Sequence, residues 1–155
     1  MSLGDLVKRW LKPTRRSDMW LVNFVKEREG FRANAYQDSV GVWTIGYGST
    51  RGVKKGDTIS MRNADKLLER ELDSFKDHVE TYSKKVGYYW NPKQIDALTS
   101  FCFNLGKGAL NQVTQDGTRS NEEIATKMKL YFNAGGVRLE GLVKRRLAES
   151  EHFSS

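Results

Sequence analysis

EGFRANAYQDSVGVWTIGYGST, residues 29–50, is the stretch from which the rest of the 155-residue chain is read. Before it, Trp20, Leu21, Phe24 and Val25 recur at helical spacing behind a capping Ser17. Glu29 follows Val25 by one turn, and Gly30 can end the helix. A carboxylate there meets the unfavourable end of the helix dipole and a partly apolar surround, and both favour its protonated form. Residues 33–38 and 42–48 then have strand composition around a Ser39-Val40-Gly41 turn. Residues 51–59, with Val53 and Ile59 between glycines, suit a third short strand. A sheet this small needs a partner to be stable.

Outward from the stretch the chain is helical. Ser60 caps a long helix over 61–84, where Ala64, Leu67, Leu68, Leu72, Phe75, Val79 and Tyr82 mark one face. The charges between them read as a solvated face. Asn91-Pro92 opens a helix that turns Ile95, Leu98, Phe101, Cys102 and Leu105 inward and stops at Gly106. A short helix near 108–114 precedes one capped at Ser120 or Asn121, which carries Ile124, Met128, Tyr131 and Phe132 and closes at Gly135-Gly136. A last helix from about Gly141 carries Leu142, Leu147 and Phe153 with Lys144, Arg145 and Arg146. The expected fold is α+β and mostly helical. A small three-stranded antiparallel sheet lobe is joined by the long helix to a helical lobe, with a cleft between them.

Residues 1–17 stand apart. Leu3, Leu6, Val7, Trp10 and Leu11 fall on one helical face beside Lys8, Arg9 and Lys12, and Pro13 stops the pattern. This is either a short helix docked on the body or a basic amphipathic helix for an anionic membrane or wall. The segment supplies +4 of the chain's net +7. The domain reading is an extension over 1–17 and a catalytic domain over 18–155. A basic chain suits any polyanion, but no nucleic-acid-binding motif is present, so no nucleic-acid partner is expected.

Cys102 is the only cysteine, which excludes an intramolecular disulfide, and it reads as a buried apolar residue. His78 and His152 lack ligand spacing, so neither metal nor cofactor is expected. No apolar run approaches the roughly 18 residues of a membrane span. No export leader is recognisable at the N-terminus either. A monomer in a reducing cytoplasm is expected.

Glu29 on a helix end and Asp38 on a hairpin can face one another, with unlike surroundings that separate their acidities. Glycosidic hydrolysis needs such a pair: an acid for the leaving oxygen and a carboxylate that directs water or stabilises the cation. Thr44, beside the second carboxylate, can hold the water. Paired acids are also common as structural features, and residue types alone leave that alternative open.

Three blocks narrow the choice. Glu29-Gly30, Ala35-Tyr36-x-Asp38, Gly41 and Thr44-Ile45-Gly46-Tyr47-Gly48 form the first, with eight residues between Glu29 and Asp38 and five between Asp38 and Thr44. The second is Gln94-x-Asp96-Ala97-Leu98-x-Ser100-Phe101-x-Phe103-Asn104-x-Gly106. Gly141-Leu142-x-x-Arg145-Arg146-x-x-Glu149 is the third. Together they resemble the phage-type lysozymes, an endolysin family, over about residues 18–153.

The resemblance implies a muramidase that cuts the β-1,4 bond between N-acetylmuramic acid and N-acetylglucosamine in peptidoglycan and so lyses bacteria. Glu29 is then the general acid, Asp38 orients or activates the attacking water, and Thr44 positions it, with inversion favoured over retention. Asn104 is a candidate to line the cleft or to cap its helix. Arg145 or Arg146 is a candidate to pair with Glu29, or else a surface base. Tyr36, Trp43 and Tyr47 suit core or sheet-face positions better than sugar platforms. The family also implies accumulation in the host cytoplasm and release to the wall through a pore made by another protein. The competing function is a non-catalytic, basic wall- or membrane-binding antibacterial protein.

Overall fold

The computed structural model describes residues 2–9 and 19–155. In chain order these are α1 (Leu3–Arg9), α2 (Met19–Glu29), β1 (Arg32–Gln37), β2 (Trp43–Gly46), α3 (Met61–Val86), α4 (Pro92–Leu105), α5 (Ala109–Thr114), α6 (Asn121–Met128), β3 (Asn133–Ala134), β4 (Val137–Arg138) and α7 (Glu140–Ser154). The chain divides into two compact units, Met1–Asp73 and Ser74–Ser155, and the division falls inside α3.

In the first unit, Ser2 caps α1 by accepting from the Asp5 amide at 3.2 Å, and its hydroxyl donates to the Asp5 carboxylate at 2.7 Å. Leu3 and Val7 on its apolar face are only 7% and 8% exposed, which favours the docked reading of this helix. Trp10, Leu11, Pro13 and Ser17 lie outside the described residues. Leu21, Phe24 and Val25 of α2 are buried, as are Ile45, Tyr47, Ile59, Ala64, Leu67, Leu68 and Leu72.

β1 and β2 pair antiparallel, Tyr36 opposite Thr44 and Gln37 opposite Trp43, with an irregularity between Arg32 and Tyr36. Two expectations need correction, the first being the third strand of this sheet. Residues 51–59 make a single bridge, Asn34 to Thr58, flanked by Ala35 N–H to Asp57 O and Ile59 N–H to Ala33 O at 2.9 Å each. The reason is local: Asp57 turns back on Lys54, its carboxylate accepting the Lys54 amide at 2.8 Å, so those backbone groups are used within a turn.

Ser60 caps α3 as expected, accepting from the Asn63 amide at 3.1 Å. In the second unit Asn91 and Gln94 form a full capping box on α4, and Ser120 and Glu123 form another on α6. The core gathers Val79, Trp90, Ile95, Leu98, Phe101, Cys102, Leu110, Val113, Ile124, Met128 and Phe153. Trp90 stacks on Tyr88 at 4.6 Å, and its indole N–H donates to Asn121 at 2.9 Å.

The second correction concerns residues 129–138. The helix expected to reach Gly135-Gly136 ends at Met128, and β3 pairs with β4 in a hairpin. Gly135 and Gly136 both take positive φ, 57° and 78°, as a tight two-residue hairpin turn requires. Tyr131 still reaches the core, edge-on to Phe101 at 5.1 Å.

Candidate active site

Glu29 is the last residue of α2, where Gly30 (φ 70°) closes the helix by donating to Lys26 O at 3.0 Å. The side chain of Glu29 is exposed, so the partly apolar surround expected from the sequence is not found. Its position is fixed against the hairpin. Glu29 Oε2 lies 3.3 Å from where a Cβ on Gly48 would stand. Gly48 has φ 89°, a backbone conformation that favours glycine.

Asp38 and Thr44 share one anchor. Asp38 Oδ1 accepts the amides of Val40 and Val42 at 2.9 Å each, closing the hairpin turn. Thr44, buried, donates its hydroxyl to the carbonyl of the same Val42 at 2.9 Å. A donating hydroxyl leaves its lone pairs as acceptors. Asp38 is therefore a turn-former as well as a candidate base, and one residue, Val42, anchors both side chains.

Below this hairpin, Ile45 and Ser49 exchange backbone hydrogen bonds at 2.9 Å in both directions, folding Gly46-Tyr47-Gly48 into a tight loop. Tyr47 is buried against Phe31, with ring centroids 5.5 Å apart, and Lys26 sits over its face while pairing with Asp65 at 2.9 Å. Tyr36 and Trp43 are half-buried. Ser49 is 2% exposed, and its hydroxyl is buried without a well-formed hydrogen bond. Beside it lies a residue the sequence reading placed among solvated charges: Glu71 of α3. Burial pushes the Glu71 carboxyl up to about 7; the Ser49 hydroxyl opposes that rise and the Glu29 charge adds to it. A signal was available, because Glu71 follows Leu67 by four residues and Leu68 by three, on the apolar stripe itself.

The remaining predicted residues form a cluster within the second unit. Arg146, fully buried, contacts Glu149 at 2.9 Å and donates to Asn104 Oδ1 at 2.8 Å. Arg145, also buried, donates to Glu149 at 3.4 Å and to the Ser100 carbonyl at 3.3 Å. Ser100 donates its hydroxyl to Glu149 at 2.5 Å. Burial raises the Glu149 carboxyl against the pull of both guanidiniums, and burial lowers Arg146 to about 10, still charged at neutral pH. The sequence reading had α7 in part reversed: Leu147 is 47% exposed, whereas Arg145, Arg146 and Glu149 face the interior. Asn104 holds Arg146, a role that neither the cleft reading nor the cap reading supplied.

Comparison with known proteins follows the same line. Residues 26–149 match the family model described as phage lysozyme. The endolysin of Acyrthosiphon pisum secondary endosymbiont phage 1 is 32% identical, covering 84% of this chain and 92% of that protein. The endolysin of Lactococcus phage c2 is 36% identical, covering 86% of this chain and 58% of that longer protein. Among solved structures, the muramidase domain of SpmX from Asticaccaulis excentricus superposes with a TM-score of 0.78 at 31% identity, covering 92% of this chain and 98% of that one. With the family model spanning most of its length and these relatives aligned along it, the chain belongs to the phage lysozyme family.

Proposed function

We propose that the protein is a muramidase whose Glu29 protonates the leaving oxygen of the β-1,4 bond between N-acetylmuramic acid and N-acetylglucosamine, while Asp38 and Thr44 hold the attacking water. Membership of the phage lysozyme family supports the reaction and its peptidoglycan substrate. The single observation that carries the assignment of roles is the common anchor of Asp38 and Thr44 on Val42. Thr44 gives its proton to the Val42 carbonyl and so accepts one hydrogen of the water. Asp38 Oδ1 is engaged by two amides, which orients Oδ2 to accept the other. Water held this way attacks from the face opposite the acid, which favours inversion.

A finer reading belongs to the same proposal: Asn104 takes part in sugar binding, which predicts a raised KM on its substitution that thermal stability alone does not explain. Delivery to the wall proceeds through a pore made by another protein. Among the described residues no helix is long and apolar enough to cross a membrane. Contact of residues 1–17 with an anionic wall or membrane is a separate proposal, tested by cell binding after their deletion.

The function is tested by digesting purified peptidoglycan, reducing the products with borohydride and analysing the sugar ends. Reduced N-acetylmuramic acid is expected. Reduced N-acetylglucosamine, or no new sugar ends, overturns the reading.

A further inference from the structure

We infer that Arg32 is a substrate-binding residue: held against Tyr36 in the hairpin that leads to Asp38 and Thr44, its guanidinium takes a carboxylate borne on the lactyl arm of N-acetylmuramic acid. The inference rests on the muramidase reading.

The contacts of the guanidiniums single this one out. Among the described residues four arginines lie over aromatic rings: Arg28 on Phe24, Arg32 on Tyr36, Arg138 on Phe132 and Arg146 on Phe101. Three of them also meet a carboxylate, Arg28 with Glu27 at 3.5 Å, Arg138 with Glu140 at 2.9 Å and Arg146 with Glu149 at 2.9 Å. Arg32 comes nearest to its ring, 4.1 Å from the centroid, and meets no carboxylate among the described residues. Arg32 is exposed, whereas Tyr36 beneath it is half-buried.

The place of this pair in the sheet ties it to the reaction. Arg32 opens β1, and Tyr36 stands directly opposite Thr44 of β2, two residues before Asp38. Residues opposite one another on an antiparallel ladder share a face, so Tyr36 lies beside the hydroxyl assigned to the attacking water. A guanidinium over a ring keeps its N–H donors at the rim of its plane, and its rotamer freedom is already reduced. Such a fork is pre-organised for a carboxylate. The substrate offers one. N-acetylmuramic acid differs from neutral N-acetylglucosamine by a lactyl group, whose carboxylate is either free or joined by an amide to a stem peptide with carboxylates of its own.

The experiment measures kcat and KM on soluble peptidoglycan strands with acetylated amines, their carboxylates left free or converted to methylamides, for wild type, Arg32→Gln and Arg32→Lys. On the free carboxylates Arg32→Gln is expected to raise KM about 3–10-fold, with kcat lowered by less than about twofold and an unchanged melting profile. Methylamidation is expected to raise the wild-type KM and to bring the two enzymes within about twofold of one another. Arg32→Lys, a point charge without the fork, recovers only part of the loss. Strands stripped of peptide by an amidase locate the carboxylate. The Arg32→Gln loss persists on them if the lactyl carboxylate itself is held and disappears if one on the stem peptide is, and either result supports the inference. Equal losses on free and methylamidated strands, or no rise in KM on the free ones, overturn it. A wild type that releases no reduced N-acetylmuramic acid from any of these strands overturns the muramidase reading instead, so the two failures are distinct.

Discussion

Replacing Glu71 with Gln is expected to stabilise the protein, by an amount that grows from about pH 4.5 and is complete above pH 7. Burial lifts the Glu71 carboxyl from 4.5 to about 7 in the folded protein. Between those values the folded chain keeps a proton that the unfolded chain has released. Unfolding therefore releases a proton, and wild-type stability falls as pH rises through this window, with the whole loss present above pH 7. At about 1.4 kcal/mol per pH unit the full span corresponds to about 3 kcal/mol. Solvent reaches part of the side chain, which reduces the figure to about 2 kcal/mol. Gln keeps the size and a hydrogen-bonding end but cannot ionise. The expected gain is about 2 kcal/mol at pH 8, or about 4–8 °C in Tm for a chain of this length, and close to nothing at pH 4.5. Thermal melts of both proteins at the two pH values decide the matter. An equal gain at both pH values, or a loss at pH 8, refutes the reasoning, since either outcome means that burial does not oppose the Glu71 charge.

Three further outcomes follow from the geometry. Gly48→Ala puts a Cβ 3.3 Å from Glu29 Oε2 on a backbone at φ 89°. It should cost about 1–2 kcal/mol in denaturant melts and lower kcat at least about tenfold, because the acid is displaced. Glu149→Gln leaves Arg146 buried without its counter-charge, so urea unfolding should show a loss of about 3 kcal/mol or more. Cys102, fully buried with its thiol pushed up to about 12 chiefly by burial, should not react with a thiol reagent at pH 8 until the protein unfolds.

Where the sequence was informative, a local rule and the tertiary fold asked for the same thing. Asn91-Pro92 with Gln94 announces a capping box, and that box opens α4. Gly48 and Asp38 sit where a tight hairpin and its turn need them, so the arrangement of residues 29–50 could be anticipated from spacing. Failures came where long-range packing overrode the local pattern. Arg145 and Arg146 look like a solvated face, yet Glu149, Ser100 and Asn104 supply enough partners to bury them, and Leu147 turns outward. Glu71 was lost among the charges of its helix, although its place three and four residues after Leu68 and Leu67 put it on the apolar stripe. The expected third strand shrank to one bridge for a local reason instead, because Asp57 satisfies its own loop first. Sequence spacing marks caps and turns better than it marks which groups pack against one another.

The central claim is that Glu29 supplies the proton. Turbidity clearing of outer-membrane-permeabilised bacteria by equal amounts of folded wild type and Glu29→Gln tests it most directly. The amide keeps the shape of the side chain against Gly48 but has no proton of the required acidity to give. Loss of clearing by about 100-fold or more, with an unchanged melting profile, is the predicted result. Clearing at the wild-type rate contradicts it and takes the general-acid assignment down with it.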